Sequence, residues 1–245
     1  MEQQVSEWPH VLDGKVAMVT GAARGIGRAT ATALAASGAE IAGIDICAMV
    51  DPRSGVVPAT REDLEETGRL VEAMGRRWRK FILDQRDLVA LRAAVAEIER
   101  EFGRIDILFA NAGIQAFRSL LEMEDSDWHI QIDVNLTGTA NAIRAVAPVM
   151  VKRGGGRIIV TTSTQGRHGT IFGAAYSASK WGIIGLMKSA ALELGKYGIT
   201  VNAVVSGLID TPLTRHEERY AQALEVAAKT PTGDIRKDEE EAERS

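Results

Sequence analysis

Tyr176 and Lys180 stand four residues apart in a stretch of helical character, with Ser163 and Asn135 upstream and the glycine-rich segment Thr20-Gly21-Ala22-Ala23-Arg24-Gly25-Ile26-Gly27 early in the chain. A phenol is a poor acid at neutral pH, so a tyrosine that exchanges protons with a substrate needs a cation held beside it. Residues i and i+4 share one face of a helix, and this spacing puts a lysine ammonium there. The same spacing arises on ordinary amphipathic helix surfaces, so its meaning depends on what else the chain brings to it.

The elements that must position these residues follow from apolar runs and their punctuation. Residues 15–20 form a short apolar run that stops at Gly21, and Ile26, Ala29, Ala33 and Leu34 then recur at helical spacing. Residues 40–45 repeat the strand signal. A helix over about 61–76 begins at the capping sequence Thr60-Arg61-Glu62-Asp63. Further strands are expected at 79–83, 105–110, 156–162 and 200–205, with helices at 87–101, 126–152 and 176–197 between them. Strands alternating with helices require crossover connections. The expected fold class is therefore α/β, a doubly wound, Rossmann-type parallel sheet with helices on both faces. Ligands in such sheets bind beyond the carboxyl ends of the strands.

At 245 residues the chain is expected to form one domain, with a core over about 13–230 and a charged tail at 231–245. A net charge of -4 gives no broad attraction to nucleic acid or to anionic membrane. Cys47 stands alone, reads as a buried small residue, and can form no intramolecular disulfide. A polar N-terminus and the lack of a membrane-length apolar run lead to the expectation of a cytoplasmic protein. His10, His129, His168 and His216 show no ligand spacing, and no metal is expected.

The glycine segment follows the first strand and opens the first helix, where backbone N–H groups bind a pyrophosphate. Gly21 permits the sharp turn, Gly25 lets the backbone approach the phosphates, and Gly27 lets helix and strand lie close; the alternative is an ordinary glycine-rich turn. Asp45 ends the second strand, where a carboxylate accepts hydrogen bonds from both adenosine ribose hydroxyls and repels a 2'-phosphate, favouring NAD over NADP. Arg24 pulls the other way, because a guanidinium in the loop could reach such a phosphate. Asp84 is placed to meet the adenine amino group, or else to cap a helix. Asn111-Ala112-Gly113 follows the fourth strand, where the chain passes close to the cofactor or simply turns. Residues 48–59 make a longer loop than a strand-to-helix connection requires, either a functional insertion or an exposed ornament.

Taken in order, Thr-Gly-x-x-x-Gly-Ile-Gly, Asp45, Asn111-Ala112-Gly113, Asn135, Ser163 and Tyr176-Ser177-Ala178-Ser179-Lys180 resemble the short-chain dehydrogenase/reductase family over about residues 13–215. The Asp45-Ile46-Cys47 sequence and the insertion resemble the subgroup typified by carveol dehydrogenases, whose cofactor can be held unusually tightly. The resemblance implies an NAD-dependent alcohol dehydrogenase or ketoreductase in which Asn135, Ser163, Tyr176 and Lys180 form the catalytic tetrad. Tyr176 would be the general acid/base, Ser163 would hold the substrate oxygen, and Lys180 would also bind the nicotinamide ribose. Asn135 would bend its helix and hold a water linking Lys180 to solvent. An ammonium roughly 4 to 5 Å from the phenolate, at an effective dielectric of about 20, contributes around 3 to 4 kcal/mol to this arrangement. Ile46, Gly207, Ile209 and Thr211 join the expected cofactor contacts. Substrate contacts are expected from Ser163, Gln165, Phe172, Tyr176 and Leu208, within segments 165–172 and 208–228, the second a lid; Ile171 and Leu213 could add to an apolar pocket. The partner is then a small alcohol or ketone.

Two departures qualify the pattern. Ser206-Gly207 replaces the family's usual Pro-Gly. The usual seventh strand is expected to be absent, because the sequence passes instead into a charged run. Apolar faces on the helices at 126–152 and 176–197, including Trp181, Ile184 and Met187, lead to the expectation of a homodimer or homotetramer. A non-enzymatic NAD(P)-binding regulator and an NADP-dependent carbonyl reductase are the rival readings.

Overall fold

β1 (Val16–Thr20), β2 (Glu40–Asp45), β3 (Trp78–Ile82), β4 (Ile107–Ala110), β5 (Gly156–Ser163) and β6 (Ile199–Ser206) form a single parallel sheet in the order β3-β2-β1-β4-β5-β6. The computed structural model describes residues 10–215. The chain runs outward from β1 to β3, then returns to the far side of β1 as β4, so the strand order reverses between β1 and β4. A crevice opens there, beyond the carboxyl ends of both strands. The doubly wound α/β expectation is borne out. The expectations about a seventh strand, the tail at 231–245, His216 and most of the lid fall outside the described residues.

Both faces of the sheet are covered, which explains why its strands read as nearly continuous apolar runs. Along β1, Val16 and Met18 enter one core with Leu91, Ile98, Val146, Ile158 and Ile183, while Ala17 and Val19 enter another with Leu64 and Val71. That alternation is the two-residue period of a strand. It sets α3 (Leu88–Phe102), α5 (Gly138–Arg153) and α6 (Ala174–Leu194) on one face, and α1 (Gly25–Ala36) and α2 (Arg61–Ala73) on the other.

The helices begin where local chemistry allows. The hydroxyl of Thr60 accepts from the Asp63 N–H at 3.1 Å, and the Asp63 carboxylate accepts from the Thr60 N–H at 2.9 Å, a reciprocal cap that starts α2. Asp87 caps α3 by accepting from the N–H groups of Val89 and Ala90, so the cap lies at Asp87 and Asp84 is not one. The expected single helix over 126–152 is interrupted: α4 (Asp125–Gln131) passes into a π-helical turn (Ile132–Thr137) before α5 begins. A π turn widens the helix and redirects its side chains, and this one carries Asn135. Leu136 of the same turn packs where Gly182 of α6 has no side chain; a carbon there would lie 2.7 Å from Leu136 Cδ2.

Candidate active site

The crevice at the reversal of strand order is a long cleft. Its walls include Gly21, Arg24, Gly25, Ile26, Asp45, Ile46, Asp84, Asn111, Ala112, Gly113, Thr211, Tyr176 and Lys180, which brings together most of the expected cofactor residues. Gly27 lies beneath the floor. Gly207, Ile209 and Leu208 are not part of the wall, nor are Ser163, Gln165, Asn135 and Phe172; of the apolar residues expected in a substrate pocket, Leu213 lines the cleft. Ile171 and Phe172 are exposed, and Phe172 adopts φ 62°, the left-handed region.

The floor is formed by close backbone approach. A side-chain carbon at Gly21 would come within 2.9 Å of Ala112 Cα, and one at Gly27 would overlap Gly21 O, so turn, helix and neighbouring strand meet only because both residues are glycine. The amide N–H groups of Asn111 and Ala112 both donate to Thr20 Oγ1 at 3.0 Å, tying the turn after β4 to the end of β1. At the start of α1, Arg24 is extended and supplies no side-chain cap, and no acidic residue occupies the first turn. The first-turn N–H groups of α1 therefore face the cleft without the side-chain partners that α2 and α3 possess, which fits a dinucleotide's phosphates.

Asp45 accepts from Ala23 N at 3.0 Å through Oδ2 and from Cys47 N at 3.1 Å through Oδ1. Each oxygen keeps a further acceptor position for a ribose hydroxyl. Arg24, weighed as a phosphate ligand, donates instead to Val57 O in the long loop. The Asp84 carboxylate is gripped by Arg86, whose Nε donates at 2.8 Å and whose backbone N–H donates at 2.9 Å; those bonds hold it below the usual carboxylate range despite partial burial. Cys47 is only partly buried, not enclosed as its neighbours suggested. It adopts φ 48°, and burial followed by the Asp45 charge pushes its thiol up to about 11.

Residues 48–59 are no ornament, since Met49, Val50, Asp51, Ser54, Val56 and Pro58 all line the cleft. The loop is pinned on two sides: by Arg24 at Val57 O, and by Arg53, which pairs with Glu124 at 2.8 Å and with the buried Asp127 at 3.2 Å. Arg118 adds a bond to Arg53 O.

Deeper in the cleft, Tyr176 and Lys180 lie one turn apart on α6, 7% and 5% exposed. Lys180 Nζ stands 5.4 Å from the centre of the Tyr176 ring and donates to Thr161 O at 3.2 Å. Burial alone pulls its ammonium down to about 8. Asn135 is fully buried: its Oδ1 accepts from Ile114 N at 2.8 Å, and its Nδ2 donates to Ile114 O and to Ser179 Oγ at 3.0 Å each. Gly113 lies between these groups, because a carbon added there would stand 3.0 Å from Asn135 Oδ1 and 3.6 Å from Lys180 Nζ. Ser163, at the end of β5, accepts from Gln165 N at 3.2 Å. Ser206 pairs with Ser163 across β5 and β6, and its hydroxyl donates to Thr162 O at 3.2 Å.

Several residues that shape the site escaped the sequence reading. Gln85 donates through Nε2 to Ala112 O at 3.0 Å and to Val134 O at 2.8 Å, joining the turn after β4 to the π turn. Thr67 donates to Ala22 O at 2.9 Å, and Arg28 binds Ala23 O and Asp63 O, fixing the glycine turn against α2. Thr67 carried a signal, a small polar residue on the Leu64 and Val71 stripe of its helix; Gln85 and Arg28 carried none.

Among known proteins, an NAD-dependent oxidoreductase of Mycobacterium tuberculosis, named as uncharacterised, is 45% identical over 207 residues, covering 84% of this chain and 75% of that protein. The (-)-trans-carveol dehydrogenase of Rhodococcus erythropolis is 37% identical over 212 residues, 85% of this chain and 76% of its own. The crystal structure of carveol dehydrogenase from Mycobacterium avium in complex with NAD superposes with a TM-score of 0.83 at 39% identity, covering 86% of this chain and 76% of that one. The short chain dehydrogenase family model matches residues 15–222, a span that takes in the glycine turn, the π turn and α6 alike, and the chain therefore belongs to the short-chain dehydrogenase/reductase family.

Proposed function

We propose that this chain is an NAD-dependent oxidoreductase interconverting a secondary alcohol and a ketone, with Tyr176 as general acid/base. The observation that carries the proposal is the buried Tyr176 and Lys180 pair, set side by side on the wall of the cleft that holds the glycine turn. Bound NAD supplies the hydride acceptor for alcohol oxidation, and its reduced form the donor for ketone reduction. The carboxylate of Asp45 at the end of β2 and the commitment of Arg24 to Val57 O support NAD over NADP, as does the NAD named for the relatives.

In oxidation, Tyr176 takes the hydroxyl proton of the alcohol as the C–H bond breaks; in reduction it returns a proton to the carbonyl oxygen. Lys180 stabilises the phenolate electrostatically, and its ammonium would hold the nicotinamide ribose. Ser163 orients the substrate oxygen. Asn135, fixed by Ile114 and Ser179, anchors the π turn beside Lys180 and supports the path by which the proton leaves. The carveol dehydrogenase relatives support an alcohol with a largely apolar body. A homodimer or homotetramer belongs to the same proposal, supported by Trp181, 53% exposed on α6.

Tyr176→Phe removes the proton-handling oxygen and leaves the ring. Turnover of secondary alcohols is expected to fall by about 10²- to 10⁴-fold, with NAD affinity within about threefold of the parent. Ordinary turnover in that variant, with NAD bound normally, overturns the assignment.

A further inference from the structure

We propose that Asp51, carried by the long loop after β2, is an additional cofactor-binding residue whose free carboxylate oxygen accepts a hydrogen bond from a hydroxyl or amino group of bound NAD. The proposal rests on the cleft being a NAD site and adds to it a residue outside the glycine turn and the strand ends.

Asp51 is 7% exposed and lines the cleft. Its Oδ1 is occupied, accepting from Arg53 N at 2.9 Å, and its backbone carbonyl accepts from Ser54 Oγ at 2.8 Å, so a tight turn fixes the side chain's direction. Its Oδ2 is buried and has no hydrogen-bond partner among the described residues. A carboxylate oxygen can only accept, and leaving one buried without a donor is among the more unfavourable arrangements a fold can hold. The loop cannot easily turn this oxygen to water, because Arg24 holds it at Val57 O and Arg53 holds it against Glu124 and Asp127. Asp51 lines the cleft, and an unpartnered acceptor just beneath its surface matches a ligand that presents donors; a dinucleotide presents four ribose hydroxyls, an adenine amino group and a carboxamide amino group. Gln85, on the same cleft, carries a second buried acceptor, Oε1, without a partner among the described residues; Gln165 Oε1 is another, away from the cleft wall.

Asp51→Asn is the sharp test, because its Oδ1 can keep the turn while an NH2 group replaces the free acceptor and faces the ligand's donor. Titration calorimetry with NAD, and thermal unfolding with and without NAD, are run on the full chain for parent and variant. The expected result is a dissociation constant raised about tenfold or more, a melting temperature without cofactor equal to or above the parent's, and a smaller NAD-induced rise. Repeating the titration with nicotinamide hypoxanthine dinucleotide, which lacks the adenine amino group, narrows the donor: a penalty that disappears assigns the adenine amino group, and one that persists assigns a ribose hydroxyl or the carboxamide amino group. Unchanged NAD affinity in the variant overturns the proposal, as does a fall in cofactor-free melting temperature with affinity intact, which would make Asp51 a structural residue. If the parent itself fails to bind NAD, the reading of the cleft falls and Asp51's assignment with it.

Discussion

Replacing Lys180 by Met removes a buried ammonium while keeping much of the side chain's volume, and the consequence for folding can be worked from the site. The Lys180 side chain is 5% exposed, and burial brings its ammonium from 10.5 down to about 8. At ~1.4 kcal/mol per pH unit, holding the charge in the folded chain at pH 7 therefore costs about 3 kcal/mol. The Met variant also loses the bond from Nζ to Thr161 O, worth about 1 kcal/mol. The net expectation at pH 7, without cofactor, is a gain of about 2 kcal/mol, or a melting temperature higher by roughly 4 to 8 °C. The sign with pH follows from proton counting. Between about 8 and 10.5 the unfolded chain binds more protons at this lysine than the folded chain does, so the parent gains stability as pH rises through that window. The variant's advantage is thus full below pH 8, shrinks above it, and is gone or reversed near pH 10.5 and beyond. Urea denaturation of parent and variant between pH 7 and 11 checks this. A variant less stable than the parent at pH 7, or a difference that does not change with pH, refutes the reasoning. In turnover the opposite effect is expected: the ammonium lies 5.4 Å from the Tyr176 ring centre, and at a separation of roughly 5 Å and an effective dielectric of about 20 a unit charge favours a phenolate by about 3 kcal/mol, so its loss displaces the rising limb of alcohol oxidation about two pH units upward.

Two further substitutions probe the walls of the cleft. Gly27→Ala places a carbon into Gly21 O and within 3.0 Å of Asn111 Nδ2; it is expected to lower stability by about 1 to 3 kcal/mol and weaken NAD binding at least ~10-fold, read by denaturation and calorimetry. Arg53→Ala leaves Arg118, 3.5 Å away, as the ion-pair partner of the buried Asp127 and loosens one side of the loop at 48–59, which keeps the Arg118 bond to the carbonyl of residue 53; hydrogen exchange in that loop should rise and NAD release should quicken about fivefold by stopped flow, and unchanged exchange there would show that the ion pairs do not hold the loop.

How much of this was legible in the sequence depends on the range of the interaction concerned. The strands were readable because apolar runs such as Val16–Thr20 report burial on both faces directly, and α2 announced itself through a cap contained within four consecutive residues. The glycine turn was readable for the same reason, as turn, helix start and strand end are adjacent in sequence. The π turn was not, because Ile132–Thr137 is composed of residues an α-helix also accepts, and what holds Asn135 is the backbone of Ile114 and the hydroxyl of Ser179, both supplied by the folded structure. Likewise the length of residues 48–59 was visible, but their placement across the cleft depends on Arg24, Arg53 and Asp127, charged residues whose bland reading is a solvated surface. Phe172 shows the converse: its type suggested a pocket, and the chain's left-handed turn exposes it.

Several polar groups that fold uncomfortably belong to residues lining the cleft, although Arg76, Gln131, Gln165 and Ser177 carry buried atoms without a partner among the described residues elsewhere. Lys180 is charged against its burial, Asp51 Oδ2 and Gln85 Oε1 lack donors among the described residues, and the first turn of α1 has no side-chain cap; all four belong to residues that line the cleft. Asp51 and Gln85 each spend one end on the backbone, at Arg53 N and at Ala112 O and Val134 O, yet leave the other end without a partner among the described residues, which stability alone does not favour. Their common place along one cleft is accounted for if a single ligand satisfies them together: phosphates for the α1 N–H groups, hydroxyl and amino hydrogens for the two acceptors, ribose oxygens for the ammonium. Binding would then be linked to folding through RT ln(1 + [L]/Kd), and the melting temperature should climb with NAD concentration more steeply in the parent than in any variant relieved of one of these groups.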